Sequence, residues 1–299
     1  MKKPTTIICS LTASLSFCGL SQAALLSHWT FDDGSGLVAA DTGGSVANNG
    51  TWANGSGDGL TWVSGVVGGA AQLAGTVSDQ HFDITSGIEA DNKTQLSYSM
   101  WIAPNLTQAG SGGDLDNKGI FTTGSAQVAR TDGITETVFN GQFWGATWQF
   151  QNGLRLDNTG ALQNIQVYDG SETVPVWNHV VFTWDGTAGS PASGDEVVNV
   201  FVNGGLAATT SSRNVSRLID DGDWQIGRDR ANTGRMYGGA IDDLAVWDQV
   251  LTPEEVNYIY QGGLVGLDAP TALVAQVPEP SVGLLAGLGG LVLLRRRRR

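Results

Sequence analysis

Cysteine is almost missing: Cys9 and Cys18 are the two among 299 residues. Downstream of Cys18 there is no thiol, which excludes disulfide staples, cysteine nucleophiles and cysteine-bound zinc from the rest of the chain. Basic residues are scarce and unevenly placed. Seven of the 16 Lys and Arg are Lys2, Lys3 and Arg295 to Arg299; with Glu279 also set aside, nine basic residues face 28 acidic ones, a formal charge of about −19 on the body. That sign argues against nucleic acid and anionic surfaces as partners and favours cations. The three histidines, His28, His81 and His179, lie far apart, and no His-Glu-x-x-His spacing, phosphate-binding glycine loop or Ser-His-Asp signature occurs. Long apolar runs are confined to the two ends.

Those ends read as addresses. Lys2 and Lys3 precede a charge-free stretch over residues 7–20, and Ser21-Gln22-Ala23 offers a small-x-small site, so residues 1–23 are predicted to be a signal peptide cut after Ala23. Cys18 raises lipidation as an alternative, but bulky Phe17 stands where such a site needs a small residue. At the other end, Val277-Pro278-Glu279-Pro280-Ser281 leads into an apolar run over 282–294 and then Arg295 to Arg299. Motif, helix and basic block in this order resemble the PEP-CTERM sorting signal of Gram-negative bacteria that make exopolysaccharide. The resemblance implies recognition around Pro278, Glu279 and Pro280 by an exosortase-like membrane enzyme. It also implies an exported chain, held in the inner membrane as a precursor and then delivered to the cell surface or extracellular matrix. Thirteen residues at helical rise span ~20 Å against a hydrocarbon core of ~30 Å, which suits a transient transmembrane helix better than a permanent one. The arginines would hold that end on the cytoplasmic side. A plain tail anchor, or a disordered basic tail, is the competing reading.

Between the ends, residues 24–267 form one expected domain, followed by a linker over 268–277 and the sorting signal over 278–299. Short segments rich in Val, Thr and Trp are punctuated by Gly, Asn and Asp, the pattern of strands and turns. Strands are expected over 25–31, 95–103, 119–123, 142–150, 176–184 and 239–247. A hairpin is expected where Asn203-Gly204 joins 197–202 to 205–209, because Asn-Gly readily takes positive φ. Thr252-Pro253-Glu254-Glu255 predicts one short C-terminal helix, with a capping Thr, Pro at the first position and a reciprocal Glu.

Several of these segments, in this order, resemble a LamG-like jelly roll of the concanavalin A-like lectin/glucanase group. They are His28 to Gly36, Ala40-Asp41-Thr42-Gly43-Gly44 with Asn48-Asn49-Gly50, Leu96 to Ile102, Trp177 to Gly186, Val200 to Gly204 and Gly239 to Trp247. The resemblance implies an all-β fold, a two-sheet antiparallel jelly-roll sandwich. Residues 126–174 match little of the pattern. Hydrolases of the group carry facing carboxylates as Glu-x-Asp-x-x-Glu on one strand; here Glu89-Ala90-Asp91 comes nearest, but no third acid follows. Glu254 and Glu255 are explained by helix capping, and His179 sits inside the strand motif.

By resemblance, a structural calcium joins the first and last strands, with Asp33 and Asp243 as ligands and Asp41 as a further one; the competing reading makes the loop aspartates hydrogen-bonded turn residues. For a glycan, the two-residue period places Trp144, Trp148 and Phe150 on one strand face, either as a sugar platform or as core. Trp52 and Trp62, in Gly/Asn-rich sequence, are alternative exposed aromatics. The expected function is a noncatalytic carbohydrate-binding or adhesive module whose partners are the sorting enzyme, the inner membrane transiently, and exopolysaccharide or another glycan. The alternatives are a structural matrix protein without a sugar site, and a hydrolase or lyase with an unfamiliar site.

Overall fold

The computed structural model describes residues 23–76, 79–91, 93–105, 118–123, 140–144, 149–152, 163–166, 176–187, 197–211, 223–228 and 236–275. Among them, sixteen strands form two antiparallel sheets. The order across the first sheet is β14 (Gly205–Ser211), β13 (Val197–Val202), β12 (Asn178–Asp185), β7 (Gln95–Pro104), β16 (Gly239–Trp247), β5 (Gly69–Leu73) and β4 (Leu60–Ser64). β1 (Leu25–Trp29) joins this sheet by pairing with the C-terminal half of β16, while β5 pairs with its N-terminal half. The second sheet runs β11 (Gln163–Gln166), β10 (Gln149–Asn152), β9 (Asn140–Trp144), β8 (Lys118–Thr123), β15 (Trp224–Ile226), β6 (Phe82–Ile84), β3 (Gly50–Trp52) and β2 (Val38–Ala39).

The two sheets close on an aromatic core. From β7 come Leu96, Tyr98, Met100 and Ile102, from β12 Val180, Phe182 and Trp184, and from the second sheet Phe82, Ile84, Phe121, Trp224 and Ile226. Phe121 stacks on Trp224 at 4.8 Å, meets Tyr98 edge-on at 5.2 Å and lies 6.1 Å from Trp29. Offset and edge contacts of this kind add ~0.5–1.5 kcal/mol per pair beyond the area they bury.

The other face of the first sheet is also covered. Val181, Phe201, Ala245 and Trp247 pack under Leu251 and the helices α1 (Pro253–Gly263) and α2 (Ala269–Ala275), through Val256, Ile259, Ala269 and Leu273. Strands buried on both faces need apolar or satisfied side chains at every position, which is why β7 and β16 read as near-continuous apolar runs. α1 begins as the sequence requires: Glu255 N–H donates to Thr252 Oγ1 at 3.2 Å, and Thr252 N–H donates back to Glu255 Oε2 at 2.7 Å. Asn203 and Gly204 turn the β13–β14 hairpin at φ 49° and 79°, the expected left-handed pair.

Two expectations change. The segment read as a linker holds a second helix, α2, which packs on α1 and the first sheet because Ala269, Ala272 and Leu273 carry an apolar stripe. The strand expected over 142–150 is two strands: β9 ends at Trp144 and β10 begins at Gln149, and they pair antiparallel with Trp144 opposite Gln149. Among the described residues no helix is long and apolar enough to cross a membrane, and the run over 282–294 lies outside them.

Candidate functional site

Where β1, β5 and β7 meet the last strand, β16 carries a bulge between Asp242 and Ala245, with Asp243 in the left-handed region at φ 50°. The bulge sends two adjacent buried carboxylates in different directions. Asp242 Oδ2 accepts from Val66 N–H at 2.7 Å and Val67 N–H at 2.8 Å and so fixes the turn between β4 and β5, where a side chain at Gly65 would collide with it. Its Oδ1 has no hydrogen-bond partner among the described residues, and burial pushes its pKa up to about 8, the nearby Asp243 and Asp32 charges adding to the rise. Asp243 accepts from Ala269 N–H at the start of α2 and lies 2.7 Å from His28 Nε2 on β1. Burial raises its pKa too, against the pull of His28.

Asp41 approaches His28 from the opposite side. Its Oδ1 accepts from His28 N–H at 2.7 Å and Gly43 N–H at 2.9 Å, and its Oδ2 from Asn48 N–H at 2.9 Å, which makes it the organiser of the loop after β2. Asp33, which is exposed, accepts from Ala40 N–H at 3.2 Å. Asp33, Asp41 and Asp243 therefore spend their oxygens on N–H donors in three places. Among the described residues no three His, Cys, Asp or Glu side chains gather to hold a metal ion, so this donor set does not fit a shared calcium cage.

A serine–histidine pair lies beneath α1: Ser99 Oγ stands 2.8 Å from His179 Nε2, and both residues are fully buried. The imidazole forms a three-ring cluster with Trp101 at 5.0 Å and Tyr260 at 5.9 Å, which are 5.7 Å from each other. Burial drives its pKa down to about 3, so it is neutral, and its Nδ1 meets no orienting carboxylate among the described residues. A pair sealed under a helix, without the third member that orients a catalytic base, is packing rather than a nucleophilic site.

The second sheet is different, because α1 and α2 pack on the first sheet, against β14 and β16. Thr51 on β3, Asp83 on β6, Gln225 on β15 and Thr122 on β8 are paired in one polar row, in which Thr51 is exposed, Asp83 half-buried, and Gln225 and Thr122 buried. Backbone pairing continues the sheet through Gln142, Gln151 and Asn164, and through Trp144, Gln149 and Gln166. Positions of the opposite parity are Phe143, Phe150 and Ile165.

At one end of the row is a charged network. Asp83 Oδ1 accepts from Gln225 Nε2 at 3.0 Å and lies 3.0 Å from His81 Nε2, which in turn is 3.1 Å from Arg228 Nη1. One imidazole nitrogen cannot donate to Asp83 and accept from Arg228 together. Burial alone would raise the Asp83 pKa, but His81, Gln225 and Arg228 outweigh it and hold the carboxyl below its usual value. Asp83 is thus a half-buried, ionised acceptor flanked by amide and guanidinium donors, an arrangement suited to hydroxyl groups rather than to a second anion.

Of the aromatics singled out from sequence, Trp144 ends β9 opposite Gln149, and Phe150 on β10 is paired with Phe143. Trp148 lies outside the described residues. Trp52 is core, 5.0 Å from Phe82, and Trp62 is half-buried, its Nε1 donating to Gly36 O at 3.2 Å. Ala23 packs beside Leu25 against the helical layer, and Pro278, Glu279 and Pro280 lie outside the described residues. Sequence reasoning missed Asp83 and Gln225, whose signal is the alternation Phe-Asp-Ile and Trp-Gln-Ile in strands only three residues long.

Comparison with known proteins agrees with this architecture. Domain 4 of an extracellular arabinanase from Geobacillus stearothermophilus, solved in complex with arabinotriose, superposes with a TM-score of 0.50 at 18% identity, covering 79% of this chain and 97% of that one. The ligand binding domain of botulinum neurotoxin serotype D, in complex with N-acetylneuraminic acid, gives 0.54 at 12% identity over 80% of this chain and 51% of that one. At these identities the likeness is one of fold. The human adhesion G-protein coupled receptor D1 is 29% identical over 125 residues, 38% of this chain, which spans 13% of that protein. At the C-terminus, residues 276–299 match the PEP-CTERM protein-sorting motif. The model for the concanavalin A-like lectin/glucanases superfamily matches residues 74–257, more than half of the chain, and the protein belongs to that superfamily.

Proposed function

We propose that this chain is exported, processed at its sorting motif by an exosortase-type enzyme, and displayed at the cell surface or in the extracellular matrix as a noncatalytic carbohydrate-binding module. One observation carries the binding reading: on the second sheet Asp83, ionised and half-buried, is paired with exposed Thr51 and accepts from Gln225, in a sheet whose strand β9 ends at Trp144. Amides and a carboxylate supply the donors and acceptors that sugar hydroxyls need, and an aromatic ring supplies apolar area for a pyranose face. The sugars held by the arabinanase and neurotoxin domains support the reading by analogy of fold.

The test is a glycan array that includes the producing cell's own exopolysaccharide, probed with the chain from Ala24 onward. Saturable binding that falls at least tenfold in Trp144→Ala and in Asp83→Asn is the expected result; absence of binding to any glycan contradicts it. Calcium belongs to the proposal as a separate component, since a cation would have to displace N–H donors from Asp33, Asp41 or Asp243. The array is therefore run with calcium and after chelation. The body charge of about −19 favours a second reading, a matrix protein bridged to acidic polysaccharide by divalent cations. Binding that vanishes on chelation and ignores Trp144→Ala would favour that alternative.

A further inference from the structure

We propose that the helical layer over the first sheet is the membrane-proximal side of the tail-held chain, and that Tyr258, Leu264, Val265 and Val274 rest there on the lipid surface. This rests on the reading of residues 282–294 as a membrane helix and goes beyond it, by assigning which face of the domain meets the bilayer. Most of the apolar side chains of the two helices point into the sheet, yet these four remain exposed within one short stretch of chain, Val265 at 74% and Val274 at 58%. Tyr258 lies on α1, Val274 on α2, and Leu264 and Val265 in the turn after α1; the two helices pack so closely that a side chain at Gly262 would collide with Ala272.

Chain length fixes the occupant. α2 ends at Ala275, and the apolar run begins seven residues later at Val282. Seven steps at ~3.1 Å per residue give a reach of ~22 Å. A globular body of this size has a radius of gyration of ~18 Å and a diameter near ~45 Å. The connection is too short to pass round the body, so the side from which α2 departs must lie against the bilayer. The other end agrees, because Ala23 packs against the same helical layer, and before removal of the signal segment both membrane-bound ends leave from this side. Neither helix carries a basic residue in its last turn, and Glu254, Glu255 and Asp268 lie nearby, so the contact is apolar and needs no anionic lipid. The polar face of the second sheet is then directed away from the membrane.

The body has no cysteine, so single substitutions can be labelled cleanly. The chain from Ala24 to Arg299 is reconstituted into phosphatidylcholine–phosphatidylethanolamine vesicles carrying Val265→Cys, Val274→Cys or Thr51→Cys, each bearing an environment-sensitive fluorophore, with lipid-borne nitroxide quenchers. Flotation with the vesicles reports whether the tail inserts. Quenching at positions 265 and 274 about threefold or more above that at position 51, unchanged by added salt, is the expected result. Flotation with equal quenching at all three positions, or stronger quenching at position 51, overturns the orientation while leaving the tail reading intact. Failure to float overturns both.

Discussion

The two sheets of this sandwich differ in what lies on their outer faces. The first is buried twice, by the aromatic core on one side and by α1 and α2 on the other, and its central strands β7, β12 and β16 are buried along nearly their whole length. The second is buried on its inner face, and its other face carries the row Thr51, Asp83, Gln225 and Thr122, open to solvent at Thr51 and Asp83. Polar residues in the first sheet have been absorbed into structure, as Ser99 with His179 and Asp243 with His28 show. In the second, Thr51 and Asp83 reach solvent while Gln225 and Thr122 are buried beside them. A sheet buried on both faces has no room for a ligand, so the division of labour follows from where the helices pack.

The largest effect that would break this contrast is expected at the shared core. Phe121→Ala removes the ring stacked on Trp224 and edge-on to Tyr98, and should cost ~3–5 kcal/mol in denaturant unfolding. A cost under about 1 kcal/mol would mean that the two sheets are not closed on one core.

The bulge of the first sheet offers a pair of contrasting variants. Asp242→Ala leaves the Val66 and Val67 N–H groups without their acceptor and should lose ~1–3 kcal/mol, whereas Asp242→Asn keeps an oxygen for them. The pH dependence has a definite sign. With its folded pKa raised to about 8 from 3.8, Asp242 holds a proton that the unfolded chain releases, so its contribution is fully present below pH 3.8 and is lost as pH rises through about 8. Thermal melts from pH 5 to 9 should show Tm falling in the parent chain and a flatter profile in Asp242→Asn. Parallel profiles would contradict the assignment.

On the second sheet, Trp144→Ala should cost at least tenfold in glycan affinity, ~1.4 kcal/mol, with little change in Tm. A large loss of stability instead would place Trp144 in the core. Smaller still is the cap: Thr252→Ala removes the acceptor for Glu255 N–H and should cost ~1 kcal/mol without touching glycan binding. The smallest is expected at the processed N-terminus. Cleavage after Ala23 would turn Ala24 N, 3.0 Å from Asp248 Oδ1, into an ammonium paired with that carboxylate, which Lys93 also holds at 3.0 Å. Asp248→Asn should lower Tm slightly, by an amount that shrinks in high salt.

How much of this was legible in the sequence depends on strand length. β16 was read to the residue, and β1, β7, β8 and β12 to within two residues at each end, because their apolar runs are long and bounded by turn signals. α1 was legible from its capping residues, and the Asn203-Gly204 turn from the φ it demands. β3, β6 and β15 are three residues each, too short for a period to register, and they carry Thr51, Asp83 and Gln225. The β9–β10 reversal was hidden because the aromatics Trp144, Trp148 and Phe150 keep a two-residue period across it, and such a period alone cannot tell one strand from two. α2 was hidden by Pro270, which is tolerated in the first turn but reads as a breaker in sequence. The partners of Asp41 and Asp243 follow from tertiary proximity, Asp243 lying 215 residues from His28, and no local pattern encodes it.

The central claim is that glycan binding lies on the outer face of the second sheet and nowhere on the helical face of the first. The most direct measurement is an array in which the chain from Ala24 onward is compared with Trp144→Ala/Asp83→Asn on one face and Tyr258→Ser/Val265→Ser on the other. The account predicts saturable binding that the first pair abolishes and the second leaves within about twofold of the parent chain. Loss of binding in the helical-face variant with retention in the other would contradict it.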